Sequence, residues 1–174
     1  MITQEILQEY FNYQDGELVR IKATRGQSIG KKAGWITTCN GVQYKKMSFS
    51  HKTLYVHRMI YLWHYGKIVK YIDHINGNSL DNRIENLREA TQSQNCANQA
   101  LKKNNTSGYK GVRFRKDTNR WTANVMLNGK NISFGCFDNP KDAYEAYKIG
   151  STKLFGEFAR HEEATNRMTD KAAQ

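Results

Sequence analysis

The stretch Tyr71-Ile72-Asp73-His74-Ile75-Asn76-Gly77-Asn78-Ser79-Leu80-Asp81-Asn82-Arg83-Ile84-Glu85-Asn86-Leu87-Arg88, continued by Glu89-Ala90-Thr91-Gln92-Ser93-Gln94-Asn95, leaves the backbone few choices. Asn76-Gly77-Asn78 is a strong turn signal, so Val69 to Asp73 reads as a short strand that ends at His74. Asp81 can cap a short helical turn through Ile84, and Leu87 to Ala90 reads as a second short strand. Thr91 with Gln94 three residues later fits a capping box, which starts a helix at Gln92 and carries Asn95 in its first turns. The predicted order is strand, loop, strand, helix.

That order sets a carboxylate, an imidazole and two amides at spacings suited to one metal ion and one activated water. Oxygen ligands from Asp73 and Asn95 suit a hard cation, Mg²⁺ or Mn²⁺, and leave coordination sites for phosphate and water. Neighbouring strand side chains point to opposite faces, so Asp73 and His74 can serve one site only where the strand ends, as it does at the turn. His74 is the side chain best suited to take a proton from water at neutral pH. Asn86 is placed to accept from one ring nitrogen and aim the other. Phosphodiester hydrolysis needs such a base, an aligned water and a cation. An Asp-His pair by itself more often stabilises a turn; the longer constellation is what points to chemistry.

The charge agrees with a polyanionic partner: 27 Lys+Arg stand against 16 Asp+Glu in 174 residues, a net +11. Nucleic acid is favoured and an anionic membrane surface comes second. No apolar run approaches the roughly 20 residues needed to span a bilayer, and the first residues lack the features of a signal peptide, so a cytoplasmic location is expected. Cys39, Cys96 and Cys136 are too far apart for a zinc ribbon and read as buried free thiols.

Ahead of the central stretch, Thr3 caps a predicted helix in which Ile6, Leu7, Tyr10 and Phe11 share a face. Asp15-Gly16 turns into a strand over 17–21, and residues 34–55 are β-prone with a hairpin turn at Cys39-Asn40-Gly41. A helix is predicted over 57–65, where His57 and His64 read as hydrogen-bonded packing residues rather than metal ligands.

Behind it, residues 101–107 are polar and read as a linker. Residues 109–115, 121–127 and 131–137, split by Asp117-Thr118-Asn119 and Asn128-Gly129, predict a three-stranded antiparallel sheet. Asn139 caps a helix with Pro140 at its first position, and Ala143, Ala146, Tyr147, Gly150 and Leu154 share a face that lets it lie close on the sheet. Arg113 and Arg115 project from one side of the first strand, near Lys110, Lys116 and Arg120, as a ribbon suited to the major groove would have them.

Asp73-His74-Ile75-Asn76-Gly77-Asn78, Leu80-Asp81-Asn82-Arg83, Glu85-Asn86-Leu87-Arg88 and Ala90-Thr91-x-x-x-Asn95, preceded by Val56-His57-Arg58, resemble the HNH nucleases, and more narrowly the HNH homing endonucleases of phages. The resemblance implies a ββα-metal (His-Me finger) fold with His74 as general base, Asn86 orienting it, and Asp73 and Asn95 binding one divalent ion. Asn at the last motif position, where many members carry His, narrows the subgroup. Asn82 is read as holding the loop.

Tyr109-Lys110-Gly111-Val112-Arg113-x-Arg115, Trp121-x-Ala123, Phe134-Gly135-x-Phe137 and Asp142-Ala143-Tyr144-x-Ala146-Tyr147 are similar to the plant ethylene-response-factor (Apetala-type) DNA-binding domain. That resemblance implies DNA contacts from Lys110, Arg113, Arg115, Asn124, Met126, Asn131 and Ser133. The residues at the last four positions depart from the family's charged or aromatic groups, so the plant target sequence does not carry over.

The expected protein is therefore α+β. A nuclease domain over 1–100, with its metal core at about 69–99, is followed by the 101–107 linker, a reader domain of three strands and one helix over 108–160, and a tail over 161–174. Its expected function is site-specific homing endonuclease action on double-stranded DNA with one Mg²⁺ or Mn²⁺ per site. A monomer is expected, which favours a nick over a double-strand break, with a dimer as the alternative. The rival reading is a DNA-binding regulator whose nuclease site is inactive.

Overall fold

The computed structural model describes residues 2–23 and 26–164. It is a mixed α+β structure of several small sheets and a few helices that divides into two compact units, one running to Ala90 and one from Thr91.

In the first unit, α1 (Gln4–Tyr10) is capped by the Thr3 hydroxyl, which accepts from Ile6 N. Phe11, expected on this helix, leaves it in extended conformation and opens β1 (Phe11–Gln14), which pairs with β2 (Glu17–Arg20) across the Asp15-Gly16 turn. The Phe11 ring is fully buried, so the apolar period continues while the backbone changes state. A second sheet, β3 (Trp35–Cys39), β4 (Val42–Phe49) and β5 (Lys52–Tyr55), turns at Asn40-Gly41 and again at Ser50-His51, all four residues with positive φ. Ser-His carries no turn signal, which is why the long β-prone run conceals two hairpins.

Next, α2 (Val56–Tyr65) ends on Gly66 in the left-handed region. It buries Val56, Met59, Ile60 and Leu62 in a core shared with Leu7, Phe11, Leu18 and Met47. β6 (Ile72–His74) is shorter than expected. The carbonyls of Val69 and Lys70 serve the Arg58 guanidinium, at 2.8 and 3.4 Å, instead of a ladder. A 3-10 turn, Ile84–Asn86, leads into β7 (Leu87–Glu89). Asp81 does not cap that turn in the expected way: its carboxylate is bound by the Arg83 guanidinium at 2.8 and 2.9 Å and by Asn76 Nδ2 at 2.8 Å.

The second unit opens with α3 (Gln92–Ala97), whose Thr91/Gln94 capping box is present as the spacing predicts. No residue of α3 is buried, and it is anchored at both ends. Ser93 Oγ bonds Asn128 N at 2.9 Å and Asn128 Oδ1 at 3.3 Å; the Ala97 carbonyl accepts from Arg160 N at 3.3 Å and from the Lys110 ammonium. β8 (Val112–Arg115), β9 (Arg120–Leu127) and β10 (Lys130–Phe137) form an antiparallel sheet in the order β10-β9-β8. Against it lies α4 (Pro140–Phe155), begun by Asn139 Oδ1 accepting from Asp142 N at 2.9 Å.

Close approach on the sheet is visible at Gly150, where a Cβ would stand 2.4 Å from the Phe134 ring. The buried face of α4 is Ala143, Tyr144, Tyr147, Ser151 and Phe155; Leu154, expected on it, is 39% exposed, since Phe155 takes the inward position of the last turn. The expected linker ends in a tight turn built on Ser107, 1% exposed, whose hydroxyl bonds the Val112 carbonyl. Of the expected tail, Glu162 and Ala164 bond back to Lys110 and Gly108, and residues 165–174 lie outside the described residues.

All three cysteines are exposed rather than buried. Cys39 ends β3 at a hairpin, Cys96 sits on α3, and Cys136 falls on the solvent face of β10. No helix among the described residues is long and apolar enough to cross a membrane.

Candidate functional site

β6 and β7 pair in register Ile72↔Glu89, Asp73↔Arg88 and His74↔Leu87. Cross-strand neighbours share a face, so Asp73 meets Arg88 directly: Nε donates to Oδ2 at 2.9 Å, both side chains largely buried. His74 ends the strand at 7% exposure, and its carbonyl accepts from Gly77 N at 2.7 Å as the chain turns away.

The loop that follows returns two asparagines to this corner. Asn82, 2% exposed, sets its Oδ1 3.1 Å from His74 Nε2. Asn86, 6% exposed, braces the loop: Oδ1 accepts from Asn76 N at 3.0 Å, and Nδ2 donates to Asn76 Oδ1 and to the Asp81 carbonyl at 3.1 and 2.7 Å. The two amides therefore exchange the roles that the sequence predicts. Asn82, expected to hold the loop, faces the ring, while Asn86, expected on the ring, holds the loop.

The β1-β2 hairpin supports the same loop from behind. Tyr13 Oη accepts from Ile84 N at 3.0 Å, and Gly16, at φ +80°, packs so tightly that a Cβ would come within 2.8 Å of Arg83 N. Any side chain there would press on Asn82 and Arg83.

Burial pushes the His74 imidazole below the ordinary histidine range, against the opposing pull of the Asn82 bond and of the Asp73 and Asp81 carboxylates. The ring is accordingly neutral at physiological pH. With Asn82 Oδ1 accepting from Nε2–H, the lone pair of that tautomer resides on Nδ1.

His57, in the first turn of α2, is a second imidazole beside the first, its ring centroid 5.2 Å from that of His74 at 74°. Burial, aided by the neighbouring His74 and Arg58, lowers its pKa to about 3. Neither His57 Nδ1 nor His64 Nε2, both buried, has a hydrogen-bond partner among the described residues, so the expected satisfied packing histidines are not found at these atoms. Only the Val56-His57-Arg58 triplet hinted that His57 belongs with the central stretch.

In the second unit, Asn95 is half-buried on α3. Five of the expected DNA-contacting residues, Arg113, Arg115, Asn124, Asn131 and Ser133, line one open cavity of about 510 Å³ on the sheet face away from α4. Met126 is paired with Asn131 on that face and is 56% exposed. Lys110 is not with them. Its ammonium turns inward to the Ala97 carbonyl, where burial, opposed by Glu162, lowers its pKa to about 8. Among the described residues, no three His, Cys, Asp or Glu gather to hold a metal ion.

Residues 54–97, from the end of β5 through α3, match the family described as HNH endonuclease. Protein 3.8 of Escherichia phage T7 is 38% identical over 90 residues, covering 52% of this chain and 74% of that protein. The chain belongs to the HNH endonuclease family. The uncharacterized HNH endonuclease L560 of Acanthamoeba polyphaga mimivirus is 37% identical over 116 residues, 65% of this chain and 59% of that protein. No solved structure matches. Membership of the HNH family supports DNA nuclease activity, and Asp73, His74, Asn82, Asn86 and Asn95 all fall within the matched span.

Proposed function

We propose that the chain is a site-specific DNA endonuclease of the homing type, with a ββα-metal centre in residues 69–99, His74 as general base, and the β8-β9-β10 face reading double-stranded DNA. The observation that carries this is the buried His74–Asn82 bond inside the span matched by the HNH family.

Asn82 holds the Nε2–H tautomer, so Nδ1 takes the proton from water. The water oxygen forms a bond to phosphorus as the bond to the 3′ oxygen breaks, and the departing oxygen is protonated from solvent. The depressed pKa of His74 keeps the ring in its accepting form at neutral pH. Asn86 acts at one remove, fixing the loop that carries Asn82.

Asp73 and Asn95 are the residues we assign to one divalent ion. Their donor set is oxygen only, one carboxylate and one amide carbonyl, and suits a hard cation that completes its shell with water and substrate phosphate, as Mg²⁺ does. An ion held by these two residues would supply electrostatic stabilisation of the charge that develops on the phosphate. Arg88 orients the Asp73 carboxylate.

On the reading face we assign base and phosphate contacts to Arg113, Arg115, Asn124, Met126, Asn131 and Ser133, in the manner of an ethylene-response-factor domain, and we remove Lys110 from that set because of its inward bond. The test is cleavage of a plasmid library by purified protein with Mg²⁺ or Mn²⁺, with cut positions mapped on both strands. Discrete sites and a His74→Ala variant that binds without cutting are expected. Sequence-specific binding with no metal-dependent cutting by the wild type would leave a DNA-binding regulator instead.

A further inference from the structure

We propose that His57 is a positioning residue of the cleavage reaction: its ring fixes the plane of the His74 imidazole, and its Nδ1 holds the attacking water. The inference rests on His74 acting as the base.

The ring is held from several directions. Val56 is fully buried, and the Arg58 guanidinium binds the carbonyls of Val69 and Lys70, so the first turn of α2 is fastened to the chain that enters β6. His57 is thereby seated against His74, while Tyr55 and Tyr44 close other sides at 5.4 and 6.0 Å between centroids. Aromatic rings prefer such angled contacts, and in a packed interior this one limits rotation of the His74 ring.

His57 is 9% exposed, and its Nδ1 has no hydrogen-bond partner among the described residues. Phenylalanine or leucine would fill this aromatic pocket with no polar atom left over, whereas a buried nitrogen without a partner is unfavourable. Its partner is therefore a small polar species that the described residues do not supply. Water is one, and the neighbouring group that uses water in this reaction is the His74 imidazole. Burial keeps His57 uncharged, so it does not oppose the positive charge that His74 acquires on taking a proton.

The experiment compares full-length His57→Phe, which keeps a ring without the nitrogen, with His57→Asn, which returns a polar atom near the Nδ1 position without the ring. Single-turnover cleavage of target duplex with Mg²⁺, DNA affinity in EDTA and thermal melting are measured for each. The Phe variant should melt and bind as the wild type does while cutting about 100-fold slower at saturating DNA. The Asn variant should cut about tenfold faster than the Phe variant, since the polar contact returns even though the ring does not. If the Phe variant does not fold, His57→Leu replaces it in the comparison with Asn.

Wild-type cleavage by the nitrogen-free variant overturns the proposal, as does an Asn variant no faster than it. His74→Ala separates the two levels. If it cuts normally, the base assignment fails. If it is dead while His57→Phe is unimpaired, only the positioning role fails.

Discussion

Asp73, His74, Asn82 and Asn86 are between 2% and 7% exposed, each hydrogen-bonded to a neighbouring side chain or backbone group, whereas on the β8-β9-β10 face Arg113, Arg115, Asn131 and Ser133 are open to solvent and Met126 is 56% exposed. The base role proposed for His74 needs one geometry, and burial with paired polar atoms provides it. The DNA contacts proposed for the open face need accessible donors that can exchange partners. Arg115 pairs with Asp117 and Arg120 with Asp138, exposed ion pairs of the kind worth about 0–1 kcal/mol and easily given up for phosphate.

The contrast can be broken by experiment. His74→Ala should lower the single-turnover rate by about 10²–10⁴-fold and leave DNA affinity unchanged; equal losses in rate and affinity would mean that the buried corner is also a binding surface. Arg88→Met removes the Arg88 ion pair from the buried Asp73 carboxylate and should cost about 3–5 kcal/mol in denaturant unfolding. A loss within experimental error would show that the corner is far wetter than its burial implies.

Arg113→Ala should weaken binding by about 1–3 kcal/mol and reduce the salt dependence by about one phosphate equivalent. Lys110→Ala should leave the salt slope unchanged while lowering stability, because its ammonium is spent on Ala97. A lower slope for Lys110→Ala would return it to the proposed DNA contacts.

Acidification sharpens the same comparison. His57 and His74 have pKa values lowered in the folded chain, so the unfolded chain binds more protons below the ordinary histidine value of about 6.5. Their stabilising contribution is present above that value and is lost as pH falls. The melting temperature should decline from pH 7 to pH 5, and His57→Phe should flatten the decline. The smallest effect is expected from Ser93→Ala, about 0.5–1.5 kcal/mol for the lost bonds to Asn128.

What was legible in the sequence was local chemistry. The Thr91/Gln94 capping box, the Asn139-Pro140 start of α4 and the Asn128-Gly129 turn each depend on side chains reaching a few residues along the chain, and each is found. Less legible were choices made by distant neighbours. Asn82 and Asn86 are chemically identical, and only the folded loop decides which faces His74 and which faces Asn76. Lys110 looks like a phosphate contact until α3 offers it a carbonyl. The His57–His74 contact joins residues that the sequence separates, and β1 was hidden because Phe11 fits a helical apolar period and a buried strand equally well.

None of the six residues of α3 is fully buried, so the helix has little packing of its own to keep Asn95 steady. Its steadiness is borrowed from Asn128 at one end and from Lys110 and Arg160 at the other. Anyone transplanting residues 54–97 onto a different C-terminal unit would move the helix and leave its moorings behind; a working chimera would have to bring the Asn128-Gly129 turn and the Lys110 strap along with it.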